Sequence, residues 1–220
     1  MTVVLIDYGA GNLHSAVKGF ERVARETNHE QPVVLTRDPD VVARADRLVL
    51  PGDGAFPDCR RGLAGIDGME DAIRGFVASG KPFLGICVGM QLIASRGVEH
   101  ETADGYSWIP GEVRLIEPTG TDLVGRPLKV PHMGWNTLDI VNPHPVLNDI
   151  RLGPDGLHAY FLHSYAFHVE DRAHLVATAT YGDPVTAIVA RDNIVGTQFH
   201  PEKSQALGLK LLANFLCWTP

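Results

Sequence analysis

Short apolar runs alternate with stretches of helical periodicity through the first half of the chain. Val3–Ile6 is one such run, closed by Asp7 and the turn residues Gly9, Ala10 and Gly11, and it predicts a buried strand. A helix is expected next, capped by Asn12 or Ser15 and running to about Asn28. Further strands are expected at 32–36, at 48–50 where Pro51-Gly52 stops the run, and at 82–86. Residues 69–79 have helical spacing and end at Gly80, a C-terminal stop signal. Apolar strands interleaved with helices predict a largely parallel sheet covered on both faces.

The second half changes character. Residues 106–140 hold short strand-like runs broken by Gly and Pro. Strands are expected at 160–163, 174–180, 185–190 and 194–199, with Asp183-Pro184 and residues 191–193 as turns, so this part should be more antiparallel. Residues 204–216 close the chain with Leu207, Leu211 and Phe215 at helical spacing. The pattern predicts one three-layer α/β domain over residues 1–220, a central mixed β-sheet flanked by helices.

Composition narrows the function. Of 220 residues, 45% are hydrophobic and 20% charged, enough apolar material for a sizeable core. Net charge is −7 and no run of Lys or Arg forms a basic stripe, which argues against nucleic acid as a partner. No apolar stretch approaches the roughly 18 residues needed to span a bilayer, and the N-terminus lacks the basic flank of a signal peptide. Three widely spaced cysteines suggest neither a disulfide framework nor a zinc site. A reduced, cytoplasmic setting without metal or other cofactor is expected.

Cys87 is the cysteine with a chemical context. An apolar strand runs into Gly85-Ile86-Cys87-Val88-Gly89 and then into a helix, the layout of a nucleophile elbow. The glycines permit a tight turn, and the unpaired N–H groups of the helix start favour a thiolate and can donate to an oxyanion. Cys59 is expected in a loop or at the surface, and Cys217 in helix packing. A second segment, Gly196 to Ser204, carries His200-Pro201-Glu202 at the end of a strand, where Glu202 can fix the imidazole tautomer. A cysteine, a histidine and an acid are the parts of an activated thiol nucleophile. A third segment, Pro51-Gly52-Asp53-Gly54, has two readings: a plain turn, or a backbone that points N–H groups at a ligand.

The elbow Gly-Ile-Cys-Val-Gly-Met-Gln and the strand end Gly-Thr-Gln-Phe-His-Pro-Glu-Lys-Ser resemble the class I glutamine amidotransferases. Four further segments extend the resemblance over essentially the whole chain: 7–12, 51–56, Pro131-His132-Met133-Gly134-Trp135-Asn136, and 160–165. The resemblance implies a glutaminase. Cys87 would attack the side-chain amide of L-glutamine, His200 would shuttle the proton, and Glu202 would orient His200. The N–H of Val88 and one from Gly52-Asp53-Gly54 would hold the oxyanion. Gln91, with the backbone at Ser164 and Tyr165, would hold the amino-acid end of the substrate. Ammonia would pass to a (β/α)₈-barrel cyclase subunit in a heterodimer, with Asn12, Trp135, Asn136, Tyr165 and Lys203 at or near the interface.

Asp53 departs from the family pattern, where an apolar residue is common between the two turn glycines. Its side chain is expected to point away from the site, toward Arg60 or Arg61. The alternatives are an amidotransferase subunit of another pathway, such as anthranilate synthesis, a free-standing γ-glutamyl hydrolase, or a silent binding module on the same fold. The segments at 7–12 and 131–136 argue against the first, and an intact Cys87, His200 and Glu202 set argues against the last.

Overall fold

The structure is a computed structural model that describes residues 1–9, 13–27, 32–122 and 124–220. In chain order the elements are β1 (Val3–Ile6), α1 (Leu13–Glu26), β2 (Val33–Thr36), α2 (Pro39–Ala43), β3 (Arg47–Gly52), α3 (Phe56–Ala64), α4 (Met69–Ala78), β4 (Phe83–Cys87), α5 (Val88–Gln91), β5 (Arg96–Glu99), β6 (Glu101–Asp104), β7 (Gly111–Leu115), β8 (His132–Asn136), β9 (Asp139–Ile140), β10 (Ala159–His163), β11 (Tyr165–Val169), β12 (Leu175–Tyr181), β13 (Asp183–Arg191), β14 (Ile194–Thr197) and α6 (Gln205–Cys217).

The central sheet has the order β2-β1-β3-β4-β14-β13-β12-β9. Its β2 to β14 half is parallel, and the other half is antiparallel. Every residue of β1, β3, β4 and β14 is buried, as a strand covered on both faces requires. The cover is helical: α1 packs with α6, and α2 and α3 pack with α4. In α1 the buried residues Ala16, Phe20, Val23 and Ala24 recur at helical spacing, and Phe20 meets Phe215 of α6 edge to face at 6.2 Å. Two smaller sheets lie beside this core: the antiparallel pair β8–β10, and β11-β7-β5-β6. The three-layer mixed architecture expected from the sequence is therefore present.

Several local expectations differ. Strand β3 continues through Pro51 and Gly52, which pair with Ile86 and Cys87. Strand β14 stops at Thr197, short of the expected residue 199, and Asp183-Pro184 opens β13. The turn before it uses Gly182, with φ of 74°. Elements α2, α3, β5, β6 and β11 were not anticipated. Asn12 and Asn28, the expected limits of the first helix, lie outside the described residues.

The centre of the fold depends on close backbone packing. A methyl group on Gly89 would sit 1.8 Å from the Leu50 carbonyl oxygen, and one on Gly85 would sit 2.4 Å from the Gly89 carbonyl oxygen. Gly75, on exposed α4 surface, has nothing within 4 Å of such a methyl. Gly89→Ala is therefore expected to cost about 1–3 kcal/mol or more through overpacking. Gly75→Ala should add roughly 0.4–1 kcal/mol by restricting the unfolded chain. Urea unfolding of both variants checks the contrast, and similar midpoints would refute it.

Candidate active site

Cys87 is the last residue of β4 and precedes α5, with φ of 55° and ψ of −113°. A non-glycine residue held at positive φ costs about 1–3 kcal/mol and persists only where its surroundings over-determine it. Here β3 pins one side through the Gly52–Cys87 pairing, and Gly85 and Gly89 let strand, elbow and helix close on one another. The glycines thus serve close approach, while the cysteine itself takes the strained conformation. Helix α5 is one turn of four residues, shorter than the elbow layout suggested. What it offers the site is its first unpaired N–H groups, more than an extended helix dipole.

The Cys87 sulfur is buried but reaches a cleft of about 230 Å³ lined by Asp53, Gly54, Val88, Gln91, Glu99, Pro131, Leu162, His163, Ser164 and Tyr165. This volume is below the roughly 300–1,000 Å³ of drug-sized pockets and suits one amino acid. Gly52 lies beneath the cleft, where a methyl group would come 2.6 Å from the Gly89 nitrogen. A larger groove of about 540 Å³ runs between β7, β11 and β13, but it is lined by no cysteine.

His200 follows β14 and is fixed at several points. Its N–H donates to the Tyr160 carbonyl at 3.1 Å. Its carbonyl accepts from the Ser204 hydroxyl at 2.6 Å, and that hydroxyl accepts from the Tyr160 N–H at 2.9 Å. The Nδ1 atom lies 2.8 Å from Glu202 Oε1, so the hydrogen sits on Nδ1 and Nε2 is left for the Cys87 sulfur. Burial alone would lower the imidazole pKa. The Cys87 sulfur and then Glu202 outweigh it and raise it to about 10. The Cys87 sulfur and Glu202 on its two sides thus favour the protonated ring.

Gln198, fully buried, was not singled out in the sequence. Its Nε2 donates to the Cys87 sulfur at 3.7 Å, and its Oε1 accepts from Gln91 Nε2 at 3.1 Å. Gln91 donates also to the Tyr165 carbonyl at 3.0 Å. Ser204 and the pocket acid Glu99 were likewise missed. Glu99 accepts the Phe56 N–H at 2.8 Å. Asp53 is exposed and lines the cleft, and it makes no ion pair with the expected arginines: Arg60 pairs with Glu70, and Arg61 with Asp58 and Glu101. Cys59 is buried in α3, where burial pushes its thiol up to about 11, and Cys217 is exposed at the end of α6, so both cysteine expectations are reversed.

Trp135 is about half exposed, as no core aromatic would be. It pairs with Tyr160 across β8–β10, beside the exposed pair Met133 and Leu162. Asn136 ends β8, and Lys203 follows Glu202 in a 3₁₀ turn. Asn12 lies outside the described residues. Among the described residues no cluster of His, Cys, Asp and Glu could hold a metal ion, and no helix is long and apolar enough to cross a membrane.

A strained cysteine on a strand-to-helix turn, with a His–Glu pair beside it at the ends of parallel strands, has the geometry of an activated thiol nucleophile. The chain belongs to the class I glutamine amidotransferases, whose sequence model matches residues 4–218. Among its relatives, imidazole glycerol phosphate synthase subunit HisH of Rhodopseudomonas palustris is 58% identical over 221 residues, covering 100% of both chains. The HisH subunit of Bradyrhizobium diazoefficiens is 56% identical with the same coverage. A crystal structure of a glutamine amidotransferase from Thermotoga maritima shares the fold, with a TM-score of 0.67 at 17% identity over 98% of this chain and 96% of that one.

Two buried histidines and one partly buried one make the protein acid-sensitive. Burial lowers His132 to about 3, and His144 and His163 to about 4. Unfolded histidines take up protons below about pH 6.5 while these three do not, so the unfolded state binds more protons and stability falls as pH drops from 6.5 toward 4. Urea midpoints should therefore decline between pH 7 and pH 5, above the carboxylate range. A flat profile over that window would contradict the burial of these rings in neutral form.

Proposed function

We propose that the chain is the glutaminase subunit of imidazole glycerol phosphate synthase, one domain over residues 1–220 with Cys87, His200 and Glu202 as catalytic residues. The observation that carries the reading is the strained Cys87 elbow beside the His200–Glu202 pair at 2.8 Å in a chain so similar to HisH subunits.

The Cys87 thiolate attacks the δ-carbonyl carbon of L-glutamine, forming a C–S bond and an oxyanion. The Val88 N–H and one N–H of Gly52-Asp53-Gly54 receive that oxygen. The His200 imidazolium gives its proton to the leaving nitrogen, and ammonia departs from a glutamyl thioester. Neutral His200 then takes a proton from water as its oxygen attacks, the C–S bond breaks, and glutamate leaves. Glu202 holds the tautomer throughout. Gln91 and the backbone at Ser164 and Tyr165 hold the amino-acid end, with Glu99 in the cleft as a counter-charge for the α-ammonium group.

Ammonia then passes to a (β/α)₈-barrel cyclase for formation of imidazole glycerol phosphate. The exposed apolar face of β8–β10, with Met133, Trp135 and Leu162, supports a partner on this side. Asn12, Asn136, Tyr165 and Lys203 are assigned to the same interface.

Cys87→Ala should abolish glutamine-dependent synthesis in the complex and spare synthesis from added ammonium salts, and equal loss of both would show a structural role instead. His200→Asn should reduce glutamine hydrolysis on the order of 10²–10⁴-fold. Trp135→Ala should weaken association with the cyclase in a titration. Unchanged association would remove Trp135 from the interface.

A further inference from the structure

The Tyr165 carbonyl accepts from two side chains, Gln91 Nε2 at 3.0 Å and His163 Nδ1 at 2.9 Å. A carbonyl has no hydrogen to give, so the His163 hydrogen is on Nδ1 and its Nε2 is an acceptor. His132 Nδ1, 3.1 Å from that Nε2, must then carry the hydrogen of its own ring. His132 Nε2 is in turn an acceptor, facing Asn136 Nδ2 at 3.3 Å. The Asn136 amide is oriented independently: its Oδ1 accepts the Thr137 N–H at 2.9 Å, and its Nδ2 donates to the Thr180 carbonyl at 2.8 Å. Each tautomer along this path is fixed by its neighbour.

The path continues inward. Gln91 donates to Gln198 at 3.1 Å, and Gln198 to the Cys87 sulfur at 3.7 Å. Both imidazoles are buried, and the His132 ring is stacked between Phe161 and Tyr181 at centroid distances of 4.6 and 4.2 Å. The rings therefore have one arrangement open to them, and the cleft side of the chain cannot shift without disturbing the β8 side.

We propose that Asn136, His132, His163 and Gln198 are positioning residues, a hydrogen-bond chain that sets the Tyr165 carbonyl and the Cys87 sulfur by the placement of strand β8. The proposal rests on the glutaminase reading and deepens it. Trp135 and Met133 stand on β8 beside the outer end of the chain, so a partner seated there bears on the nucleophile through these links. The histidines act through the Tyr165 carbonyl and Gln91, with His163 also lining the cleft, and Gln198 holds the Cys87 sulfur directly.

The test is a double-mutant cycle on glutamine hydrolysis by the full chain with saturating cyclase. His132→Phe keeps the ring stack and removes both links of His132. It should lower kcat/KM about 3- to 10-fold, because of the two only the hydrogen bond to His163 reaches the cleft side. Asn136→Ala should cost a similar factor alone and nothing more in the His132→Phe background. His163→Asn, which can still donate to the Tyr165 carbonyl, should retain more activity than His163→Leu. Additive losses, or equal loss in both His163 variants, would overturn the proposal.

Nitrogen-15 NMR of the imidazoles in the wild-type chain gives a readout independent of activity. Both rings should be neutral Nδ1–H tautomers, and an Nε2–H tautomer in either would break the chain. Absence of glutamine hydrolysis by the wild-type complex would instead sink the glutaminase reading, leaving the NMR result to judge the chain by itself.

Discussion

The positive φ of Cys87 is the constraint on which the site depends. Nothing in the cysteine favours that conformation, which costs about 1–3 kcal/mol. It is imposed by a parallel sheet whose adjacent strands β3 and β4 both end at the elbow, and by glycines that let the backbones touch. A larger residue at Gly52, Gly85 or Gly89 would push these elements apart and relax the turn that aims the sulfur. The stability of the central sheet and the geometry of the nucleophile are therefore one property.

From that fixed point the remaining groups arrive along separate routes. His200 comes from β14, the parallel neighbour of β4, and is tied to β10 through the Tyr160 backbone and the Ser204 hydroxyl. Glu202 follows after one proline and lies against α1, where Gly19 leaves room for it. The cleft wall comes from the β10–β11 corner. Side-chain amides and imidazoles join these routes, so the buried polar groups brace the site. Buried polar networks carry such a role where their members are satisfied, and of the Glu202 carboxylate only Oε1 is, since Oε2 is buried with no hydrogen-bond partner among the described residues.

Local chemistry was legible in the sequence. Gly-x-Cys-x-Gly after an apolar strand, and His-Pro-Glu after another, signalled the elbow and the His200–Glu202 pair because the residues of each motif are adjacent in the chain. The interleaved apolar runs likewise showed the mixed, doubly covered sheet. What escaped depends on pairing across the fold. His132 and His163 meet only because β8 and β10 pair in one register, and Gln198 reaches Cys87 only because β14 lies beside β4. Strand β11 was missed because only Ser164 separates it from β10. Helix α3 follows Ala55, whose side chain cannot cap it, so its start was marked only by Pro57 and Asp58 in the first turn. Helix α2 did carry one, Asp38 before Pro39, with the Asp38 carboxylate accepting the Asp40 N–H at 2.8 Å.

The central claim is that Cys87, and no other thiol, forms the bond to substrate. Rapid acid quench of the complex during turnover of L-glutamine, followed by peptide mass spectrometry, tests it directly. The account predicts a glutamyl thioester on the peptide containing Cys87, with Cys59 and Cys217 unmodified. Steady turnover with no adduct, or an adduct on either of the other cysteines, would contradict it.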